Sequence, residues 1–218
     1  MLELLLPQRC VVCGGPGAQL CGRCLDDLPR LAAPRCDRCG APTAWPVLRC
    51  AECSGRRLAF ASARAAFAYD AAVKAFVASW KEHGLRRLAA TAAALVEDVV
   101  PRPEVEALAF VPPDGDRSRR RGHHPAERLA RELGRRWELP VAAALHRTRR
   151  LPRQRGLALA ERRRNVRGAF RAAASPRRVC LVDDVYTTGA TANAAASALR
   201  AAGARRVEVV TFARAIRC

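Results

Sequence analysis

Val179-Cys180-Leu181-Val182-Asp183-Asp184-Val185-Tyr186-Thr187-Thr188-Gly189-Ala190-Thr191 is the stretch that decides the fold of this chain. Its first four residues are a continuous apolar run, the pattern of a parallel strand covered on both faces. Asp183 and Asp184 follow at the strand's carboxyl end, where open α/β sheets bind ligands. Thr187 to Thr191 then turn into a helix whose expected apolar face is Ala192, Ala195, Ala196 and Leu199. The first backbone N–H groups of a helix lack internal partners, so together with the helix dipole they favour an anion. Gly189 permits a tight turn and close approach, and the Thr hydroxyls add donors. The two carboxylates suit a ribose diol or a divalent cation. The combination fits a sugar phosphate.

An apolar strand, two acids, a short spacer and Thr-Thr-Gly-x-Thr resemble the phosphoribosyl pyrophosphate (PRPP) signature of type I phosphoribosyltransferases. The resemblance implies that Asp183 and Asp184 face the ribose hydroxyls. It also implies that Thr187, Thr188, Gly189, Ala190 and Thr191 wrap the 5-phosphate. Two Asp residues alone would more often cap a βα turn. Both acids followed by the whole loop favour the ligand.

The chain has 218 residues, half of them hydrophobic, which allows one α/β domain with a sizeable core plus a small module. No apolar run approaches a membrane span. Met1 to Pro7 is too short for a signal peptide and carries Glu3, so a cytoplasmic location is expected. The net charge is +19, and residues 117 to 178 concentrate it, with 20 Arg, no Lys and 4 Glu. A polyanionic partner follows: PRPP, nucleic acid, or both. The plainer reading is a solvated basic surface. Lys occurs only at 74 and 81, which points to GC-rich codon bias, but such bias does not explain the excess of Arg over acids.

Eight of the ten cysteines form four CxxC pairs: Cys10/Cys13, Cys21/Cys24, Cys36/Cys39 and Cys50/Cys53. Two intervening residues let one knuckle present both thiolates to the same ion, and two knuckles complete a tetrahedral site. Two structural zinc sites are expected, as in a double zinc ribbon. Sequential pairing of knuckles is simplest; interleaved pairing stays open, because spacing is not proximity. Disulfides would want an oxidising compartment, and a redox CxxC would want a single pair beside a βαβ unit. Cys180 is expected in the core and Cys218 as a free thiol.

Residues 1–58 read as the zinc module and 59–218 as the α/β domain. In the latter, Ala61 to Tyr69 reads as a strand and Asp70 as the cap of a helix through Trp80. Leu88 to Val100 reads as a second helix, with Leu88, Ala92, Leu95, Val96 and Val99 on one face. Leu108 to Val111 is a short strand, and Pro125 opens a helix with the stripe Leu129, Ala130, Leu133, Trp137. Val141 to Leu145 and Val207 to Ala213 complete the expected strands. Alternating strands and helices imply a parallel sheet flanked by helices.

The loop Arg119-Arg120-Arg121-Gly122-His123-His124 offers guanidinium forks and a glycine just before a helix N-terminus. The loop, with Arg121 and Gly122 in it, is therefore assigned to pyrophosphate, against the alternative of a solvated loop. His123 and His124 lack carboxylate or cysteine partners at metal-ligand spacing. Trp80-Lys81-Glu82-His83-Gly84, Val111-Pro112, Arg121-Gly122, Gln154, Arg164-Asn165-Val166 and Ala169-Phe170 join the four CxxC pairs and the PRPP loop. Together they resemble the ComF family of competence-associated proteins, a zinc ribbon fused to a phosphoribosyltransferase-like domain. The family usually continues Arg-Gly with Phe-Asn, whereas this chain has His123, His124 and Pro125.

By that analogy residues 147 to 155 form a mobile catalytic flap whose Arg147 and Arg149 close over pyrophosphate, excluding water. Lys81 is placed either on the same anion or on the helix surface. The resemblance implies zinc, Mg²⁺ carried with PRPP, and transfer of the phosphoribosyl group to a base-like acceptor that no pocket motif identifies. The rival reading is a non-catalytic sensor of PRPP or nucleotide, or a binder of single-stranded DNA, for which Trp137 and Phe170 are the aromatic platforms nearest the arginines. A zinc-bearing adaptor with a relic loop is the plainest option.

Overall fold

The computed structural model describes residues 8–81, 85, 87–113, 124–148 and 168–216. Val179, Cys180, Leu181 and Val182 are all fully buried, so the strand carrying them is covered on both faces, as its apolar continuity requires. That strand, β6 (Arg178–Tyr186), lies in the middle of a five-stranded sheet. The others are β1 (Ser62–Ala68), β2 (Ala107–Phe110), β3 (Val141–Ala142) and β7 (Arg206–Arg214), in the order β1-β7-β6-β2-β3. Every pairing is parallel. The last strand therefore sits inside the sheet, between the first strand and β6.

Side chains alternate across the sheet and divide the core in two. Cys180 and Val182 of β6, with Val210 and Phe212 of β7, join one cluster. On that face lie α2 (Ala71–Lys81), α3 (Leu88–Val99) and α4 (Pro125–Arg136). Val179 and Leu181, with Val207 and Val209, join the other cluster, covered by α5 (Ala190–Ala201). The stripes expected from periodicity are buried: Leu129, Ala130, Leu133 and Trp137 on one face, Ala192, Ala195, Ala196 and Leu199 on the other. Asp70 caps α2, its carboxylate accepting from the Val73 N–H at 2.8 Å. Pro125 occupies the first turn of α4, and His124 caps that helix by accepting from the Glu127 N–H at 2.8 Å.

The strand expected over Val141 to Leu145 is two elements. Val141–Ala142 joins the sheet beside β2, whereas Leu145–Arg147 (β4) leaves it to pair antiparallel with Phe170–Ala172 (β5). Ala143 and Ala144 supply no branched side chain to hold one continuous strand, and Leu145 buries itself in the cluster of the opposite face.

The zinc module also divides between the faces. The first ribbon includes a short helix, α1 (Gly22–Asp26), and packs Val11, Leu20 and Leu25 against the cluster of α2 to α4. The second sends Cys36, Cys39, Cys53, Leu58 and Phe60 into the cluster beneath α5.

Candidate functional site

Each set of four thiols converges: Cys10, Cys13, Cys21 and Cys24 in one ribbon, Cys36, Cys39, Cys50 and Cys53 in the other. Within each set the Sγ atoms lie within 4.8 Å of one another. Cys36–Cys53 is 3.6 Å, Cys39–Cys50 is 3.5 Å and Cys13–Cys21 is 3.8 Å. A tetrahedral ion with bonds near 2.3 Å needs sulfurs about 3.8 Å apart, so both sets fit zinc. Pairing is sequential, and interleaving is excluded by the geometry. The Cys50 N–H donates to Cys36 Sγ at 3.3 Å, helping to hold a thiolate. The expected core position of Cys180 holds: it is fully buried, and burial pushes its thiol pKa up.

At the carboxyl end of β6 the phosphate-type loop is built from the strand upward. Thr188 is buried, and its hydroxyl accepts from the Ala190 N–H at 3.1 Å, which starts α5. Gly189 caps the helix with φ +68°, a left-handed conformation that favours glycine. Its missing side chain matters for a second reason: a Cβ there would stand 2.1 Å from Tyr186 Oη. The Tyr186 ring is thus the floor of the loop. Asp183, Tyr186, Thr187, Gly189, Thr191 and Thr211 line a small cleft at this point. Thr211 comes from β7 and is the register partner of Asp183.

The two carboxylates have different surroundings. Asp183 accepts from the Asp184 N–H at 2.9 Å, and Asp184 from the Val185 N–H at 2.6 Å. Lys81, at the last turn of α2, forms an ion pair with Asp184 at 2.5 Å. Burial works against the Lys81 charge, but Asp184, with smaller help from Asp183 and Tyr69, holds its pKa above the ordinary value. Burial and the neighbouring Asp184 push the Asp183 carboxyl up to about 7, against the pull of Lys81 and Arg147. Asp184 thus has a lysine partner, whereas Asp183 is held by a backbone N–H.

Arg147 lies on β4 and donates to the carbonyls of Pro113 and Pro112, each at 3.1 Å, with its guanidinium 4.7 Å from the centre of the Phe170 ring. These contacts dock it beside the loop that follows β2, and its charge is felt at Asp183. The structure therefore brings together Asp183, Asp184, Lys81, Arg147 and residues 187 to 191. Arg121, Gly122 and Arg149 lie outside the described residues, as does the rest of the proposed flap to residue 155. The stacking platforms suggested for a single strand are closed: Trp137 is 3% exposed and Phe170 5%.

Several neighbours of the site escaped sequence reasoning. Arg214 is 1% exposed, although guanidinium groups are seldom buried. It donates to the Cys39 carbonyl at 2.5 Å, pairs with Glu52 at 2.6 Å and lies 4.8 Å from the Tyr186 ring centre. An arginine directly after the largely apolar run Val207 to Ala213 was the available signal. Arg56 donates to the Thr188 carbonyl at 2.9 Å, and Asn193 accepts from the Ala59 N–H at 2.7 Å. No local pattern announces those two contacts, which join residues more than 130 positions apart.

The double zinc ribbon domain model matches residues 1–54. The chain is 39% identical over 116 residues to Competence protein F of Haemophilus influenzae, a match covering 50% of this chain and 51% of that relative. The match thus spans about half the length of each. A crystal structure of TT1426 from Thermus thermophilus is 20% identical, over 57% of this chain and 82% of that one, with a TM-score of 0.35, too loose a likeness to bear on the argument. Among the described residues no helix is long and apolar enough to cross a membrane.

Proposed function

We propose that this chain, which belongs to the ComF family, binds Mg²⁺-PRPP and transfers its phosphoribosyl group to a nitrogen of a base-like acceptor. The observation that carries the reading is the asymmetric acid pair at the end of β6: Asp184 held by Lys81, Asp183 held by a backbone N–H, both directly before an anion-type loop. Asp183 and Asp184 would accept from the ribose diol. Their oxygens also suit the divalent ion, which travels with the substrate and offsets the charge of the diphosphate. The loop from Thr187 to Thr191 would hold the 5-phosphate with backbone N–H groups and hydroxyls. The acceptor nitrogen would form a bond to the anomeric carbon as the bond to pyrophosphate breaks. Arg147 and Lys81 supply positive charge nearby, and the leaving group takes away the bonding pair.

Calorimetric titration of the zinc-loaded chain with PRPP and Mg²⁺, at two salt concentrations, tests this. Saturable binding is expected at both, and it should be lost in Asp183→Asn/Asp184→Asn with two zinc ions retained. Full affinity in that double variant would dispose of the site. No binding by the unaltered chain at either salt would turn attention to the arginine surface, with single-stranded DNA as the next titrant.

A further inference from the structure

The second ribbon does more than pack beside the α/β domain: it grips the phosphate loop at three points. Arg56 reaches from just beyond Cys53 to the Thr188 carbonyl. Ala59 is tied through its N–H to Asn193 in the first turn of α5. Arg214 joins the Cys39 carbonyl and Glu52 to the Tyr186 ring, on which Gly189 rests. The first ribbon packs against the cluster on the opposite face.

The Arg56 contact has a directional consequence. In a planar trans peptide the carbonyl and the following N–H point opposite ways. Holding the Thr188 carbonyl toward the ribbon turns the Gly189 N–H away from it. It also keeps a carbonyl dipole, which would repel an anion, from swinging to the other side. The guanidinium is itself braced, its second nitrogen lying 3.5 Å from the Glu52 carbonyl.

We infer that the second zinc ribbon is an integral part of the sugar-phosphate site, with Arg56 as the positioning residue that sets the Thr188–Gly189 peptide plane. This deepens the function proposed above and rests on it for the identity of the ligand. The contact with the Thr188 carbonyl does not.

Two readouts on the zinc-loaded full chain test it: Mg²⁺-PRPP affinity, and amide hydrogen exchange of residues 187 to 191 without ligand. Arg56→Ala should weaken affinity about tenfold, the scale of one charge-assisted hydrogen bond. It should also speed exchange in the free loop while zinc content stays at two per chain. Arg56→Lys, which can still donate to the carbonyl, should recover part of both. Arg9→Ala, which removes an arginine bonded to Gly14 in the first ribbon, should change neither. Unchanged affinity or unchanged loop exchange in Arg56→Ala overturns the inference. Weakened binding with unchanged exchange makes Arg56 a direct ligand contact instead, which also overturns it. Should the unaltered chain fail to bind Mg²⁺-PRPP, the proposed function falls, and loop exchange alone decides the role of Arg56.

Discussion

Gly189→Ala is a small substitution with a large expected cost, because two separate demands meet at that residue. The first is conformational. At φ +68° a residue with a Cβ is strained by about 1–2 kcal/mol. The second is steric. The new methyl would lie 2.1 Å from Tyr186 Oη, 2.4 Å from Cζ and 2.9 Å from Cε2, all well inside contact distance. A free side-chain tip would swing away at little cost. Tyr186 is not free, being 4% exposed, set edge-on to Phe60 at 6.3 Å and covered by Arg214. Forcing a methyl into such packing costs about 1–3 kcal/mol. The total is about 2–5 kcal/mol, read as a lower denaturant midpoint for the zinc-loaded chain with an unchanged slope. Removing the ring separates the terms. In a Tyr186→Leu background the same Gly189→Ala change should cost only the conformational part, so the double-mutant cycle should show about 1–3 kcal/mol of relief. A loss below about 0.5 kcal/mol in the original background, within the ordinary range of surface changes, would refute the placement of Tyr186 beneath the loop.

Two further expectations follow from the charges. The Asp183 carboxyl titrates near 7 in the folded chain, above its ordinary value of 3.8. A raised carboxyl pKa means that the folded state prefers the proton, so the free protein gives up stability as pH climbs from about 4 toward 7. Binding of a cation or diol wants the carboxylate, so Mg²⁺-PRPP affinity should rise through that range and level off above it. Calorimetry from pH 5.5 to 8.5 checks this, and a flat profile would count against it. Arg214→Met keeps the bulk but leaves Glu52 without its cation and the Cys39 carbonyl without its donor, costing about 2–4 kcal/mol. Adding Glu52→Gln should return part of that loss in a denaturant titration; no recovery would show that Arg214 acts only by packing.

The parts legible in the sequence share one property: their signal is local. The run from Val179 to Val182 announced a covered strand, the four CxxC pairs announced two thiolate sites, and the spacing of Leu129, Ala130 and Leu133 announced a buried helix face. Less was readable where a decision depends on what lies opposite. Nothing within Val141 to Leu145 says that the chain will leave one sheet for another pairing, because that follows from Phe170–Ala172 arriving alongside. Lys81 read equally well as an anion ligand or a surface residue, and only α2 packing against the sheet brings it to Asp184. Arg214 could have been flagged as a charge in an apolar strand, yet its partners belong to a module 162 or more positions earlier.

The position of β7 bears on the order in which the molecule can be assembled. Among the described strands, the one made last, β7, occupies the slot between β1, the one made first, and β6. Until it arrives, β1 has no neighbour in the sheet, and β6 shows a bare hydrogen-bonding edge. The second ribbon can gather its metal by then, but the Cys39 carbonyl and Glu52 still wait for a guanidinium on the final strand. Synthesis from amino to carboxyl end therefore cannot close this sheet progressively, and its two halves are joined only once β7 has been made. Loss of β7 would not trim an edge. It would separate β1 from β6 and take away the guanidinium that joins the second ribbon to Tyr186.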